Sequence, residues 1–176
     1  MGQGFVRVAL GAVLVAFSAL AADAAEQVAV GPASGLPLPR FVSLKTDKVN
    51  VRVGPAKDHE VAFVYSRSAL PVEVIAESDN WRRIRDWEGA EGWVWHSLLS
   101  GRRTALVAPQ SKGKDVLLAL HAKPDEKSGV SAKLEGGVLG TVKRCGEGWC
   151  RIAGDGFDGW IEQARLFGVY PNEKVE

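Results

Sequence analysis

Two stretches of this chain lie over each other without a gap: "VIAESDNWRRI" (Val74 to Ile84) over "VKRCGEGWCRI" (Val142 to Ile152). A few residues on, "EGWV" (Glu91 to Val94) matches "DGWI" (Asp158 to Ile161), with one residue dropped between the blocks. Upstream, "VNVRVGPAKD" (Val49 to Asp58) answers more loosely to "VLLALHAKPD" (Val116 to Asp125), which sets Leu117 and Ala119 against Asn50 and Arg52. A period of about 67 residues means that the fold is built twice, from a unit small enough for that span. The 176 residues therefore divide into two small domains, 40–107 and 108–172, with the joint near "TALVAPQSKGK" (Thr104 to Lys114).

Within each copy the pattern is β. "VNVRV" and "PVEVI" alternate or cluster β-branched residues at strand length. "ESDNW" and "CGEGW" carry turn residues between strands, with Asp79–Asn80 and Glu147–Gly148 at the apex. Helical periodicity is confined to about one turn each at "HSLLSG" and "EQARLF". Short strands of this number and spacing predict an all-β chain of two small barrels.

These residues also carry a resemblance. "VNVRVGP" followed by "LPVEVIAESDNWRRIRDWEGAEGWV" resembles the bacterial SH3-like domain family, with its Asn-x-Arg-x-Gly-Pro strand, its Trp opening the third strand and its closing Gly-Trp-Val. The first copy has all three: Asn50, Arg52, Gly54 and Pro55; Trp81; and Gly92, Trp93 and Val94. The second keeps Trp149 and Gly159-Trp160-Ile161 but not the Asn and Arg. The resemblance spans Phe41 to Val169 and implies two tandem SH3-like barrels. It also implies that Trp81 lines a surface groove.

The only two cysteines stand in "CGEGWC" (Cys145 to Cys150), and the gap-free alignment sets them over Glu77 and Arg82. With Glu147–Gly148 as a two-residue turn, Cys145 faces Cys150 across a hairpin, where a disulfide can close. At the same place in the first copy an acid faces a base, as a cross-strand ion pair requires. A metal centre would need more ligands than three scattered histidines (His59, His96, His121) supply, and a Cys-x-x-Cys redox spacing is absent. No metal and no cofactor is expected.

Residues 1–24 read as a signal peptide. Arg7 precedes an apolar run, "VALGAVLVAFSALAA", and Ala22-Asp23-Ala24 supplies the small residues of a cleavage site. The run is about 15 residues, short of the roughly 20 that span a bilayer. An uncleaved anchor is the competing reading. A mature chain starting near Ala25 would be periplasmic or secreted, touching the membrane only before cleavage, where disulfides persist. Residues 25–39 read as a flexible leader ending in a Pro-x-Pro element, a linker unless "GLPLPR" docks onto a groove.

A net charge of +1 gives no electrostatic case for nucleic acid. No nucleophile stands beside a base in any catalytic spacing, and the repeats fill the chain, so no enzyme is expected. Six tryptophans are many for this length. Trp93 and Trp160 are expected in the cores, since large aromatics dominate small cores. Trp81, beside a hairpin turn, is expected on a binding face with Tyr65, Trp87 and Trp95, next to the cations Arg83 and Arg85. The competing reading is a solvated face balanced by Glu77, Asp79, Asp86, Glu88 and Glu91. Aromatics beside cations suit sugar faces and carboxylates, so the expected partner is cell-wall peptide or glycan. The alternative partner is an envelope protein, with the chain acting as adaptor or regulator.

Overall fold

The computed structural model describes residues 1–2 and 29–176, so the expected signal peptide lies outside the described residues. A small hairpin comes first, β1 (Ala29–Val30) with β2 (Pro37–Leu38). The first barrel follows: β3 (Arg40–Leu44), β4 (Val49–Arg52), β5 (Val61–Tyr65), β6 (Pro71–Ser78), β7 (Trp81–Arg85), β8 (Glu91–Trp95) and β9 (Leu99–Ser100). The second repeats it with β10 (Thr104–Val107), β11 (Leu117–His121), β12 (Val130–Glu135), β13 (Leu139–Gly146), β14 (Trp149–Gly154), β15 (Phe157–Glu162) and β16 (Leu166–Phe167). The two sheets run β5-β4-β8-β7-β6-β3-β9 and β12-β11-β15-β14-β13-β10-β16, the same order twice, antiparallel throughout. Single 3₁₀ turns at His96–Leu98 and Gln163–Arg165 occupy the two places where sequence allowed one helical turn.

Strand alternation puts Val49, Val51, Val72, Val74, Ile84 and Val94 in the first core, all with no exposed surface. Leu120, Cys150, Ile152 and Ile161 hold the matching places in the second. Each such aliphatic side chain contributes about 1.5–3 kcal/mol by leaving water. Both long hairpins carry a bulge at one position, skipping Ile75 in β6 and Lys143 in β13. The extra residue bends the strand, as closing a small barrel demands.

The structure corrects the upstream alignment by two residues. Arg52 and His121 each pair with the repeated Trp of the closing strand, Trp93 and Trp160. Each also reaches a carbonyl seven residues on: Arg52 Nη1 to His59 O and His121 Nδ1 to Ser128 O. Asn50 therefore corresponds to Ala119 and Arg52 to His121, not to Leu117 and Ala119. The loop between β10 and β11 absorbs the difference.

The repeat period places strand β10 at the end of the first unit, yet it pairs with β13 and β16. All four of its residues are buried. Ala105 and Val107 enter the second core, while Leu106 enters the first, beside Leu139 and Phe167. Around this strand Ser43 Oγ bonds Thr104 Oγ1 at 2.6 Å, and Thr104 Oγ1 donates to Ala69 O at 2.7 Å. Phe41 stacks edge-on against Phe167 at 5.1 Å, and Arg103 pairs with Glu173 at 2.6 Å. Gly168, at φ 122°, leaves no room for a side chain: a Cβ there would strike the Thr104 carbonyl.

The leader is not a loose segment from Ala29 onward. Its hairpin turn sits on Glu77, whose side chain has no exposed surface. Ala33 N–H and Ser34 N–H donate to Glu77 Oε2 at 3.0 and 2.9 Å, and Ser34 Oγ to Oε1 at 2.6 Å. Arg40 Nη2 and Arg82 Nε complete the cage at 2.7 and 3.2 Å. A buried carboxylate demands such donors, which is why this leader folds here. The Glu77–Arg82 ion pair expected from the repeat is present, opposite each other in β6 and β7.

In the second barrel the same two places hold the Cys145–Cys150 disulfide. Its turn residues Glu147 and Gly148 both have positive φ, 53° and 80°, as a tight two-residue hairpin requires. The C-terminal tail covers it, Val175 exchanging both backbone hydrogen bonds with Cys145.

Burial alone would raise the Glu77 pKa, but the bonds from Ser34, Arg40 and Ala33 more than reverse this and lower it to about 2. A folded value below the ordinary 4.5 means that its contribution is complete above pH 4.5 and is lost as pH falls toward 2. Replacing Glu77 by Gln should cost about 3 kcal/mol at neutral pH, by leaving Arg40 and Arg82 without their counter-charge. It should also flatten that acid limb in urea titrations repeated across pH.

Candidate functional site: matched clefts on the two barrels

The six residues proposed from sequence as one binding face occupy three different places. Trp81 and Trp95 do come together. They face each other across β7 and β8, edge to face, with ring centroids 5.3 Å apart. Asn50, Arg52, Lys57 and Leu98 complete a cleft of about 220 Å³ around them. Lys57 Nζ stands 5.5 Å from the Trp95 ring centre, within cation–π range. Asn50, Arg52 and Lys57 were not among the proposed site residues. The Asn-x-Arg pattern of β4 was the available signal, because residues two apart on a strand share a face.

Arg83 and Arg85 lie on the same side of β7 but are engaged elsewhere. Arg83 pairs with Glu91 at 2.7 Å, and the repeat reproduces this as Arg151 with Asp158 at 2.7 Å. Arg85 donates from Nε and Nη2 to Glu73 Oε2 at 3.0 and 2.7 Å, while Tyr170 OH donates to Glu73 Oε1 at 2.9 Å. Glu73 thus ties Arg85 into the junction between the barrels.

Tyr65 and Trp87 sit in a third place, a cleft of about 270 Å³ shared with Pro109, Lys112 and Gly137 of the second barrel. Tyr65 is buried and its hydroxyl donates to Asp86 Oδ2 at 2.9 Å. Burial first, then that bond, push the Tyr65 phenol far above its ordinary range. Asp86 Oδ1 in turn accepts from the backbone of Glu88 and Ala90. This arrangement anchors the β7–β8 turn.

The expectation that Trp93 and Trp160 lie in the cores is reversed. Trp93 and Trp160 are half-buried and stand outside both cores, because Val94 and Ile161 beside them point inward and alternation sends the ring outward. Trp81, beside its turn, is only 7% exposed, since Trp95 covers it.

The second barrel has a cleft of about 410 Å³ in the same place, with Ala119, His121, Glu126, Trp149, Glu162 and Arg165 among its lining. These correspond one for one to Asn50, Arg52, Lys57, Trp81, Trp95 and Leu98. Trp149 faces Glu162 as Trp81 faces Trp95, and His121 takes the aromatic contact, 5.6 Å from Trp149.

The sequence profile described as "Bacterial SH3 domain" matches residues 45–101 and again 114–168. The chain belongs to the bacterial SH3 domain family. Domains of this family are generally binding modules and typically non-catalytic. No curated protein matches the chain. Solved structures that align with it include NlpC2 from Trichomonas vaginalis, at 12% identity and TM-score 0.34, over 73% of this chain. NlpC1 from the same organism aligns at 12% identity and TM-score 0.33, over 78% of this chain. The chain spans 48% of the length of each. Among the described residues no cluster of His, Cys, Asp and Glu could hold a metal ion, and no helix is long and apolar enough to cross a membrane.

The burial difference between the paired rings separates architecture from surface. Trp81→Ala should lower unfolding free energy by about 3 kcal/mol through the cavity it leaves. Trp95→Ala should cost only about 1 kcal/mol. Urea denaturation of the two variants checks this order.

Proposed function

We propose that the protein is an exported, non-catalytic binding module of the cell envelope that recognises cell-wall peptide or glycan through the Trp81–Trp95 cleft of its first barrel. The observation that carries this reading is the pairing of two aromatic rings with Lys57 and Arg52 at one mouth. Aromatic faces stack on sugar rings or the apolar parts of a peptide, while the two cations hold a carboxylate. Arg83, Arg85 and Tyr65, bonded to other partners, and Trp87, in the cleft between the barrels, take no part in this reading. The export signal of the first residues supports a periplasmic or secreted location.

The test is retention of the mature protein, from Ala25, on purified sacculi. Trp95→Ala and Lys57→Ala are the informative variants, since Trp81→Ala also disturbs the fold. Retention should fall about tenfold in each and weaken as salt is raised, because the contact is partly ionic. Retention unchanged in both variants would remove the cleft from the reading. No retention of the unaltered protein would favour the adaptor reading, with crosslinking in cells as the search for its protein partner.

A further inference from the structure

The duplicated cleft keeps its place in the barrel and inverts its charge. Trp149 stays where Trp81 stands, but Glu126 replaces Lys57, Glu162 replaces Trp95 and His121 replaces Arg52. The cation at this mouth, Arg165, is already bound to Glu162 at 3.0 Å. Glu126 has no cationic partner within ion-pair distance among the described residues. His121 Nδ1 stands 3.4 Å from the Ser128 carbonyl. The rim adds apolar surface: Leu117 is 59% exposed and Val116 46%.

We propose that this second cleft binds an alkylammonium group, such as the amino-bearing side chain of a peptide. The ammonium would bridge the adjacent Glu126 and Glu162 carboxylates over the Trp149 face, with its alkyl stem along Leu117. Each part of the ligand meets a matching surface. A cation over an indole ring is attracted by the ring's quadrupole, two carboxylates accept its N–H groups, and the stem removes exposed leucine from water. An anionic ligand of the kind proposed for the first barrel would be repelled here. The duplication has therefore given one chain two clefts of opposite preference. This goes beyond the proposed function and does not depend on it, because it rests on the lining of the second cleft alone.

The test is a two-dimensional NMR titration of the mature protein, with backbone amides and indole N–H groups assigned. The probe is N-acetyl-lysine methylamide, and its uncharged counterpart N-acetyl-norleucine methylamide is the control. The lysine probe should shift His121, Trp149 and Glu162 in a saturable way and leave Trp81 and Trp95 unmoved. Glu126→Gln should weaken that binding about tenfold, the loss of one charge-assisted contact, without altering the rest of the spectrum. Absence of shifts at Trp149, or equal shifts with norleucine, would overturn the proposal. Full binding to Glu126→Gln would overturn it as well. Because Trp81 and Trp95 report separately, failure here is distinguishable from failure of the first cleft.

Discussion

One strand belongs to two cores. β10 hydrogen-bonds within the second barrel, yet Leu106 points into the first while Ala105 and Val107 point into the second. Alternation along a strand normally separates core from solvent; here it separates one core from another. Solvent is excluded from both faces, so every residue of the strand is buried and its polar member, Thr104, must find partners in Ser43 and the Ala69 carbonyl. Gly168 follows from the same crowding, because the chain passes too close to the Thr104 carbonyl to carry a side chain. The two clefts are thereby set on one body.

The barrels solve one structural problem by two chemistries. The end of the long hairpin is closed by Glu77 and Arg82 in the first and by Cys145–Cys150 in the second. The ionic solution has a cost that the covalent one lacks. A buried carboxylate must be surrounded by donors, and a single cross-strand arginine does not suffice. Arg40 and the leader turn supply the remainder, so the first barrel needs residues from outside its repeat. The disulfide needs only cover, and the C-terminal tail provides it. A closure that contributes about 2 kcal/mol by restricting the unfolded chain matters in a domain with so small a core.

Much of this was legible in the residues. The repeat, the barrel class, the hairpin register of the cysteines and the opposed Glu77 and Arg82 all follow from local patterns and a gap-free alignment. What escaped reading depended on contacts distant in sequence. "AVGPASGLPLP" carries no periodicity, and its fold is imposed by a carboxylate more than forty residues away. The register of the upstream strand of the second repeat is illegible because "VLLALH" is apolar at nearly every position, and pairing with β12 and Trp160 sets it. Arg83 and Arg85 looked like a basic patch since their acidic partners lie on neighbouring strands. Strand parity could have moved Trp93 and Trp160 out of the cores, because the inward places beside them go to Val94 and Ile161.

The central claim is that the two barrels are one cooperative unit joined through β10. The most direct measurement is equilibrium urea unfolding followed residue by residue by NMR, comparing Val74 in the first core with Ile152 in the second. The account predicts a single midpoint for both amides, and a shift of both together when Leu106 is truncated to Ala. Two separate midpoints, with Leu106→Ala moving only one of them, would contradict it.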